Sequence, residues 1–520
     1  MPPPVKIRVL ILYSMRGDKK NIKYFQKTVE KPIKIVYYIN MSKIIGIDAG
    51  TTSIRSAVYD TESGEFFVAR QKAVDQYYPH PGWVEEDADE IYMSTLLCLE
   101  DAIEKTDFTA AGIGITNMRE TVIAWDKKTQ KPLYNAIIWQ CRRTKDYCEG
   151  LSADQKALIK ERTGLVVDAY FSASKIRWLI DNVKGVKRAL SRGDLMVGTV
   201  ESYVIYRLTG GKSFVTDVTN ASRTMLFNIK TLDYDDDLLR LFDIPREILP
   251  KVIANDEIAG YYHCEGKDYP ICGVIGDQQS ALYGQECFTR GSAKITYGTG
   301  MFLLFNTGET LPRSESGILA TVAYKAGGKV CYALEGSVFN AGTAIQWLRD
   351  KMGIITEAKE SELLAKSVKS TEGVCFVPAF TGLGAPYWNP DATGLISGIT
   401  RNTSRAHIVR ASLEAMAFSC RQLFGIMEKE SGVKLEYIRA DGGAAANGFL
   451  MSFQADELGV NVHVPESTES TVLGAIKLCI RGLNLKDDHC IKDGKTYPPR
   501  YAPHDKEYNN WLKAVERCML

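Results

Sequence analysis

Residues 43–60, KIIGIDAGTTSIRSAVYD, decide the fold. They read as an apolar strand, a turn of glycine and hydroxyl residues, and a second strand; EFFVARQKAV (65–74), just beyond Gly64, adds a third and completes a β-meander. Residues 87–106 then carry Ile91, Leu96, Leu97, Leu99 and Ile103 at helical spacing, and GIGITN (112–117) and TVIAWD (121–126) return to strand. This succession predicts an α/β layer. The same grammar recurs about 250 residues later, where AKITYGTGMFLLFNTG (293–308) follows the helix-like QQSALYGQ (278–285). Two strand-turn-strand copies, each heading one half of the chain, predict two related domains facing each other across a cleft. A third junction, EYIRADGGAAANGFLMSFQADELG (436–459), reads as a strand ending at Asp441, a Gly-Gly turn, and a helix from about Ala445. Free backbone N–H groups at such a helix start suit an anion or a nucleotide.

The bulk numbers agree with a two-domain protein that handles a small molecule. The chain has 520 residues, 45% hydrophobic and 24% charged, about twice the size at which one core tends to divide. With 64 Lys and Arg against 63 Asp and Glu, no global field draws it to nucleic acid or to an acidic membrane surface. No apolar run approaches the roughly 18 residues of a membrane span, so no stable membrane association is expected. Twelve cysteines lie between Cys98 and Cys518 without a Cys-x-x-Cys pair, and there are only six histidines, so neither a zinc site nor a disulfide framework can be read. Reduced thiols in a cytoplasmic protein are the expectation. The first forty residues differ, with seven Lys and two Arg against Asp18 and Glu30. They are Lys-rich without a small-residue cleavage site, which favours a disordered leader, or a true start at Met41, over a targeting peptide.

Phosphate handling needs backbone donors that come close. Asp48, Gly50, Thr51, Thr52, Ser53 and Arg55 supply such a cradle, with Asp48 able to hold magnesium through water and Arg55 able to meet phosphate oxygens. The Walker loop is excluded: Gly211-Lys212-Ser213 and Gly494-Lys495-Thr496 imitate its end, but Tyr206 and His489 stand where its first glycine belongs. No His-Arg-Asp or Asp-Phe-Gly string of a protein kinase follows. In GVIGDQQSALYGQ (273–285) an apolar strand ends at Gly276 and a helix begins at once, so Asp277 is either a structural N-cap or a general base at a cleft mouth.

Eight further strings carry a resemblance: ITNMRETVIAWD (115–126), NAIIWQCRRT (135–144), YFSASKIRWLIDN (170–182), GDQQSALYGQ (276–285), TYGTGMF (296–302), GSVFNAGTAIQWLRD (336–350), VPAFTGLGAPYWNPDATGLISGITR (377–401) and DGGAAANGFLM (441–451). In order and spacing, over about residues 41–515, they resemble the FGGY carbohydrate kinases, most closely those acting on glycerol. Both family signatures are matched, one over 170–182 with Lys175 and Trp178, the other over 394–414 with Gly398, His407 and Glu414. The resemblance implies two ribonuclease-H-like (actin-like ATPase) domains, an N-terminal one over 41–285 for the polyol and the phosphate hairpin, and a C-terminal one over 286–515 for the nucleotide. It implies that Arg119, Glu120, Tyr170, Asp277 and Gln278 bind substrate hydroxyls, with Trp139 and Phe302 flanking the carbon chain and Asp277 as base. It implies that Thr51, Thr52, Ser53, Arg55, Thr299, Gly342, Gln346, Gly443 and Asn447 hold ATP, with Mg2+ on Asp48 through water.

The implied reaction is ATP-dependent phosphorylation of glycerol to sn-glycerol 3-phosphate. The alternatives are a kinase of another small polyol or ketose such as xylulose, and an actin-like ATPase without a sugar substrate. An Arg donor beside a Glu acceptor can serve neighbouring hydroxyls together, and aromatic walls suit C–H surfaces, which favours the polyol. The pattern departs from the family at Ala49 and Asn389, and beside the substrate positions at Met118 and Cys141, where Gln and Asp are usual. Met118 is expected in the core, and Cys141 on the face of Trp139 if that stretch is extended. A homo-oligomer is expected. His263 is either an exposed loop histidine or, as in some relatives, a site phosphorylated by a sugar-phosphotransferase carrier protein.

Overall fold

The computed structural model describes residues 42–467 and 469–520; the expectation for the first forty residues lies outside them. The meander read from 43–73 is present as β1 (Lys43–Ala49), β2 (Ser53–Asp60) and β3 (Phe66–Ala73), antiparallel throughout. Helix α1 (Ala88–Lys105) follows, its first turn capped by the Asp87 side chain, and β4 (Gly112–Asn117) returns parallel to β1. After a long insertion, β5 (Ile258–Cys264) and β6 (Lys267–Gly276) complete a six-stranded sheet of order β5-β6-β4-β1-β2-β3. Strand β6 runs parallel to β4 and leads directly into α2 (Asp277–Gly284).

The second half repeats this plan. Strands β7 (Ser292–Tyr297) and β8 (Met301–Gly308) form the second hairpin, and β9 (Leu319–Ala326) and β10 (Lys329–Val338) extend it. After helices α3 (Gly342–Asp350) and α4 (Arg405–Ser431), β11 (Tyr437–Gly442) lies parallel to β7, just as β4 lies parallel to β1. Helix α5 (Gly448–Leu458), strand β12 (Asn461–Pro465), helix α6 (Ser470–Gly482) and strand β13 (Asp493–Tyr497) follow. The seven-stranded order is β9-β10-β8-β7-β11-β12-β13. Within it β10-β8-β7-β11-β12 matches β3-β2-β1-β4-β6, with the β9 strand inserted; both hairpins turn on three residues, 50–52 and 298–300. The duplication predicted from two hairpins thus extends to whole sheets.

Period-two alternation sorts the second sheet into two faces. Ala293, Ile295, Leu303, Phe305 and Leu334 point into the core beneath α4. Lys294, Leu304 and Glu335 are cross-strand partners on the other face, as are Thr296, Phe302 and Ser337. That face meets α2, whose Leu282 packs with Leu304.

The two halves interlock through α2 and α6. Helix α6 belongs to the second half by sequence, yet its Val472, Ile476 and Cys479 pack with Ile44 and Ala57 on the first sheet. Glycines there let it sit close: a Cβ on Gly114 would stand 2.5 Å from the Ala475 carbonyl oxygen, and one on Gly46 would stand 2.6 Å from Val472. The helices α2 and α6 cross at a second glycine pair, where a Cβ on Gly284 would lie 2.0 Å from Ser470 O and one on Gly474 would lie 1.9 Å from Ser280 O. Helix α6, which lies beyond the 285/286 division, thus packs on the first sheet. The Gly-Gly junction also differs slightly from expectation: residues Gly443–Ala446 form a 3-10 turn, and α5 starts only at Gly448, capped by Asn447. The Asn447 side chain, accepting from Leu450 N, sets the helix start there.

Replacing Gly474 by Val should cost about 3 kcal/mol or more, since backbone must move to make room. Gly425→Ala, in α4 with nothing within 4 Å of the added carbon, should be neutral or stabilising. Urea denaturation of both variants measures the contrast.

Candidate functional site

Residues from both halves meet at the start of α2. Strand β6 ends at Gly276, where a Cβ would lie 2.8 Å from the Arg119 stem, so only glycine lets this arginine lie flat beside the helix start. Asp277 is the first residue of α2 and not its cap: its Oδ1 accepts from Gln278 N at 2.7 Å and lies 3.3 Å from Arg119 Nε. About a quarter of its side chain is exposed, at 27%, whereas Arg119 is 2% exposed. The acid is thus the open member of the pair.

Arg119 and Glu120 lie beyond the end of β4. Arg119 donates from Nη1 to Gln279 Oε1 at 3.1 Å and, as a fork, to both oxygens of Glu335 at 2.6 and 3.0 Å. Glu120 has φ 60°, a left-handed conformation that costs a non-glycine residue energy. Its carbonyl is held there by Ser172 Oγ at 3.1 Å and by the buried Lys175 Nζ at 3.0 Å, and the same Nζ donates to Tyr170 O at 2.7 Å. One ammonium on the helix Ser172–Asn182 therefore orients two neighbouring site residues. Burial pushes that ammonium down to about 8, although Glu120 pulls the other way.

An aromatic wall closes the site. Trp139 meets Tyr170 edge-on at 5.7 Å and Phe302 of the second half at 6.2 Å, and donates from Nε1 to Thr51 Oγ1 at 3.0 Å. Gln278 accepts a short hydrogen bond from Lys294 Nζ, which also donates to Thr296 Oγ1 at 3.0 Å; burial pushes Lys294 down to about 8. The seven residues expected to line a polyol site are thus joined by contacts, and so are Lys294, Glu335 and Arg223, whose Nε donates to Glu120 Oε1 at 2.6 Å. The sequence reading missed these three. Each is a charged residue inside an apolar run (AKITY, ASRTMLF, YALEGSV), which was the available signal.

The hairpin turns form the remaining walls. Around Gly50–Thr52, Asp48 is buried, and its paired cation, Arg55, is 3.6 Å away and also bonded to Glu469 of the second half at 2.6 Å. Burial, offset by Arg55 and reinforced by Asp277, raises the Asp48 carboxyl to about 7. In the second half, two further glycine loops converge on the turn 298–300. Gly342 N donates to Gly298 O at 3.1 Å, Thr343 Oγ1 to Thr299 O at 3.3 Å, and a Cβ on Gly442 would meet Tyr297 O at 2.3 Å. Thr52, Thr299, Gln346 and Gly443 are exposed around these turns, and Asn447 caps α5 while its Nδ2 donates to Ser361.

Family models match both halves: the N-terminal domain of the FGGY family of carbohydrate kinases over residues 43–284 and its C-terminal domain over 293–483. A Thermotoga maritima protein named glycerol kinase 2 is 49% identical over 492 residues, covering 92% of this chain and 99% of its own. This chain belongs to the FGGY family of carbohydrate kinases. A glycerol kinase of Escherichia fergusonii is 47% identical over 490 residues, with 92% of this chain and 97% of that protein covered. The crystal structure of Plasmodium falciparum glycerol kinase with ADP superimposes with a TM-score of 0.85 at 37% identity, covering 92% and 99% of the two chains. A ligand-bound xylulose kinase of Lactobacillus acidophilus shares the fold, with a TM-score of 0.81 at 23% identity over 92% and 96% of the chains.

Two departures from the FGGY pattern are explained by packing. Met118 is buried in the core of the first half, as expected, although it lies past the strand end, where its N–H donates to Ala49 O at 2.9 Å. Cys141 does not share the face of Trp139: the chain turns, with Cys141 N donating to Ile138 O at 3.0 Å. Its thiol instead accepts at 3.0 Å from Nε of Arg143, whose guanidinium lies over the rings of Trp83 and Trp178. His263 is exposed on β5, with Nδ1 2.9 Å from Asp268. Among the described residues, no helix is long and apolar enough to cross a membrane.

Lys175→Met should destabilise the enzyme by about 1–3 kcal/mol at pH 7, because the Tyr170 carbonyl loses its donor. The Lys175 ammonium titrates lower in the folded chain, near 8, than its ordinary 10.5. Its contribution is therefore flat below pH 8 and grows more favourable as pH rises toward 10.5, because the unfolded chain binds the extra proton there. Urea titrations of parent and variant from pH 7 to 10 should show the gap widening with pH; a constant gap would contradict this.

Proposed function

We propose that this FGGY kinase transfers the γ-phosphoryl group of ATP to a primary hydroxyl of glycerol, giving sn-glycerol 3-phosphate. The observation that carries the reading is the joined set Arg119, Glu120 and Asp277 beneath Trp139, Tyr170 and Phe302. A small polyol needs donors and acceptors side by side for its hydroxyls and apolar rings for its C–H surface, and this set offers both within one wall. The glycerol kinases similar to the chain over nine-tenths of its length support the same acceptor.

In this reading Arg119 donates to hydroxyls and Glu120 and Tyr170 take part in their hydrogen bonding, with Gln278 alongside. Trp139 and Phe302 exclude water. Asp277, the partly exposed carboxylate at the start of α2, accepts the proton of the attacking hydroxyl as that oxygen closes on the γ-phosphorus in line with the departing ADP oxygen. Its Oδ1 is steadied by Gln278 N, so the acid is aimed before substrate arrives. Thr51, Thr52, Ser53 and Arg55 approach the phosphates from the first hairpin, and Thr299, Gly342, Gln346, Gly443 and Asn447 take the nucleotide from the second half. The ADP bound by the Plasmodium relative supports this nucleotide class.

Magnesium fits the donor set. Asp48 is a buried carboxylate with its cation at 3.6 Å and a second carboxylate, Asp277, acting on it, an arrangement short of positive charge. One carboxylate plus substrate phosphates is the usual holding for this ion, and Asp48 would hold it through water. When bound, the ion would offset negative charge on the phosphates.

Asp277→Asn should keep the fold and lower kcat by about 10² to 10⁴. A coupled ADP-release assay with glycerol, dihydroxyacetone, erythritol and xylulose should give the highest kcat/KM for glycerol. Preference for xylulose, or near-parent turnover in a folded Asp277→Asn, would overturn the assignment.

A further inference from the structure

Two charged residues on the cleft floor have no part in the reaction as read above. Arg223 and Glu335 are both fully buried and come from opposite halves, Arg223 from just after the short helix Val218–Ala221 and Glu335 from β10. With Arg119 and Glu120 they make a closed ring of alternating charge. Glu335 accepts from Arg119 at 2.6 and 3.0 Å and from Arg223 Nη2 at 2.9 Å; Arg223 Nε donates to Glu120 Oε1 at 2.6 Å; and Arg119 Nε lies 3.8 Å from that same Glu120 oxygen.

The geometry constrains both substrate-facing members. A guanidinium held as a fork on a carboxylate keeps that carboxylate's plane, so Glu335 fixes the rotation of Arg119. Of Arg119's five N–H groups, two on Nη1 go to Gln279 and Glu335, one on Nη2 goes to Glu335 and Nε faces Asp277, which leaves one Nη2 hydrogen to offer. Arg223 engages only Oε1 of Glu120. Arg223 and Glu335 are fully buried, and their bonded atoms are taken up by the other members of the ring.

We propose that Arg223 and Glu335 are positioning residues for the polyol: they fix Arg119 and Glu120 as a matched donor and acceptor pair for adjacent hydroxyls, and through Glu335 the second half of the chain helps to shape a site borne by the first. The two flanking arginines hold the Glu335 carboxyl near 2 against the effect of burial, so it stays ionised throughout the working pH range. Removing one ring member leaves a buried charge uncompensated, whereas removing one of each sign restores balance.

This inference rests on the polyol reading, and its test is run with whichever polyol the parent phosphorylates best, so a parent that prefers another acceptor overturns that reading and leaves this comparison intact. Steady-state KM for polyol and for ATP is measured in Glu335→Gln, Arg223→Met, the double variant and the milder Arg223→Lys, with thermal melts to certify folding. Each single charge removal should raise the polyol KM about tenfold to a hundredfold, as expected for displaced binding groups, with ATP KM within about twofold. The double variant should raise it by less than the product of the singles. If the removals do not fold, Arg223→Lys decides, since it keeps the charge, loses the fork and should still raise the polyol KM severalfold. Polyol KM within twofold of parent in the folded variants, parallel rises in both KM values, or multiplicative singles would overturn the proposal.

Discussion

Everything in the cleft depends on the crossing of α2 and α6 at Gly284 and Gly474. Side chains at either position would drive carbon into the other helix's backbone, at 2.0 and 1.9 Å from a carbonyl oxygen. Only the bare backbone permits the approach, and the approach fixes where α2 begins. That start is Gly276-Asp277, beside Arg119 from the first half and Lys294 from the second. Because α6 also beds into the first sheet over Gly46 and Gly114, the second half is anchored to the floor of the first, and the two hairpin turns are held on one cleft.

Charge then does what packing alone does not. The cleft floor buries Arg119, Glu120, Arg223, Glu335, Lys175 and Lys294, which is costly in a low-dielectric interior unless every charge is paired or hydrogen-bonded. Here the arginines and glutamates alternate, Lys175 is spent on two carbonyls, and Lys294 on an amide and a hydroxyl oxygen. Such a network is a weak source of stability, but it leaves few alternatives for the orientation of Arg119 and Glu120. Asp277 and Asp48 stand apart from it: one is partly open to the cleft, and the other is buried with its cation at a distance. Those properties suit the roles proposed for them, toward a hydroxyl and a hydrated ion.

Much of this was legible in the letters. The hairpins appear where KIIGIDAGTTSIRSAVYD and AKITYGTGMFLLFNTG place them, because alternating apolar residues and a glycine-bearing turn are local signals. The meeting of Arg119, Glu120, Tyr170, Trp139, Phe302 and Asp277 came from resemblance, since their contacts join positions up to 163 residues apart and leave no local trace. What escaped had physical reasons. Cys141 left the face of Trp139 because a turn, invisible in NAIIWQCRRT, interrupts the extended stretch. The helix after the Gly-Gly turn began late because Asn447 caps better than the alanines before it. Arg223, just after a short helix, and Glu335, on a strand, were passed over because a charged residue among apolar neighbours announces a partner without naming it.

In the reaction proposed, the phosphoryl group passes directly from ATP to the polyol, and Asp277 takes a proton and never the phosphoryl group. Stereochemical analysis with ATP made chiral at the γ-phosphorus by oxygen isotopes tests it most directly. We expect inversion of configuration in the phosphorylated polyol, the outcome of a single in-line displacement. Retention, which requires two displacements and a phosphorylated enzyme group between them, would contradict it.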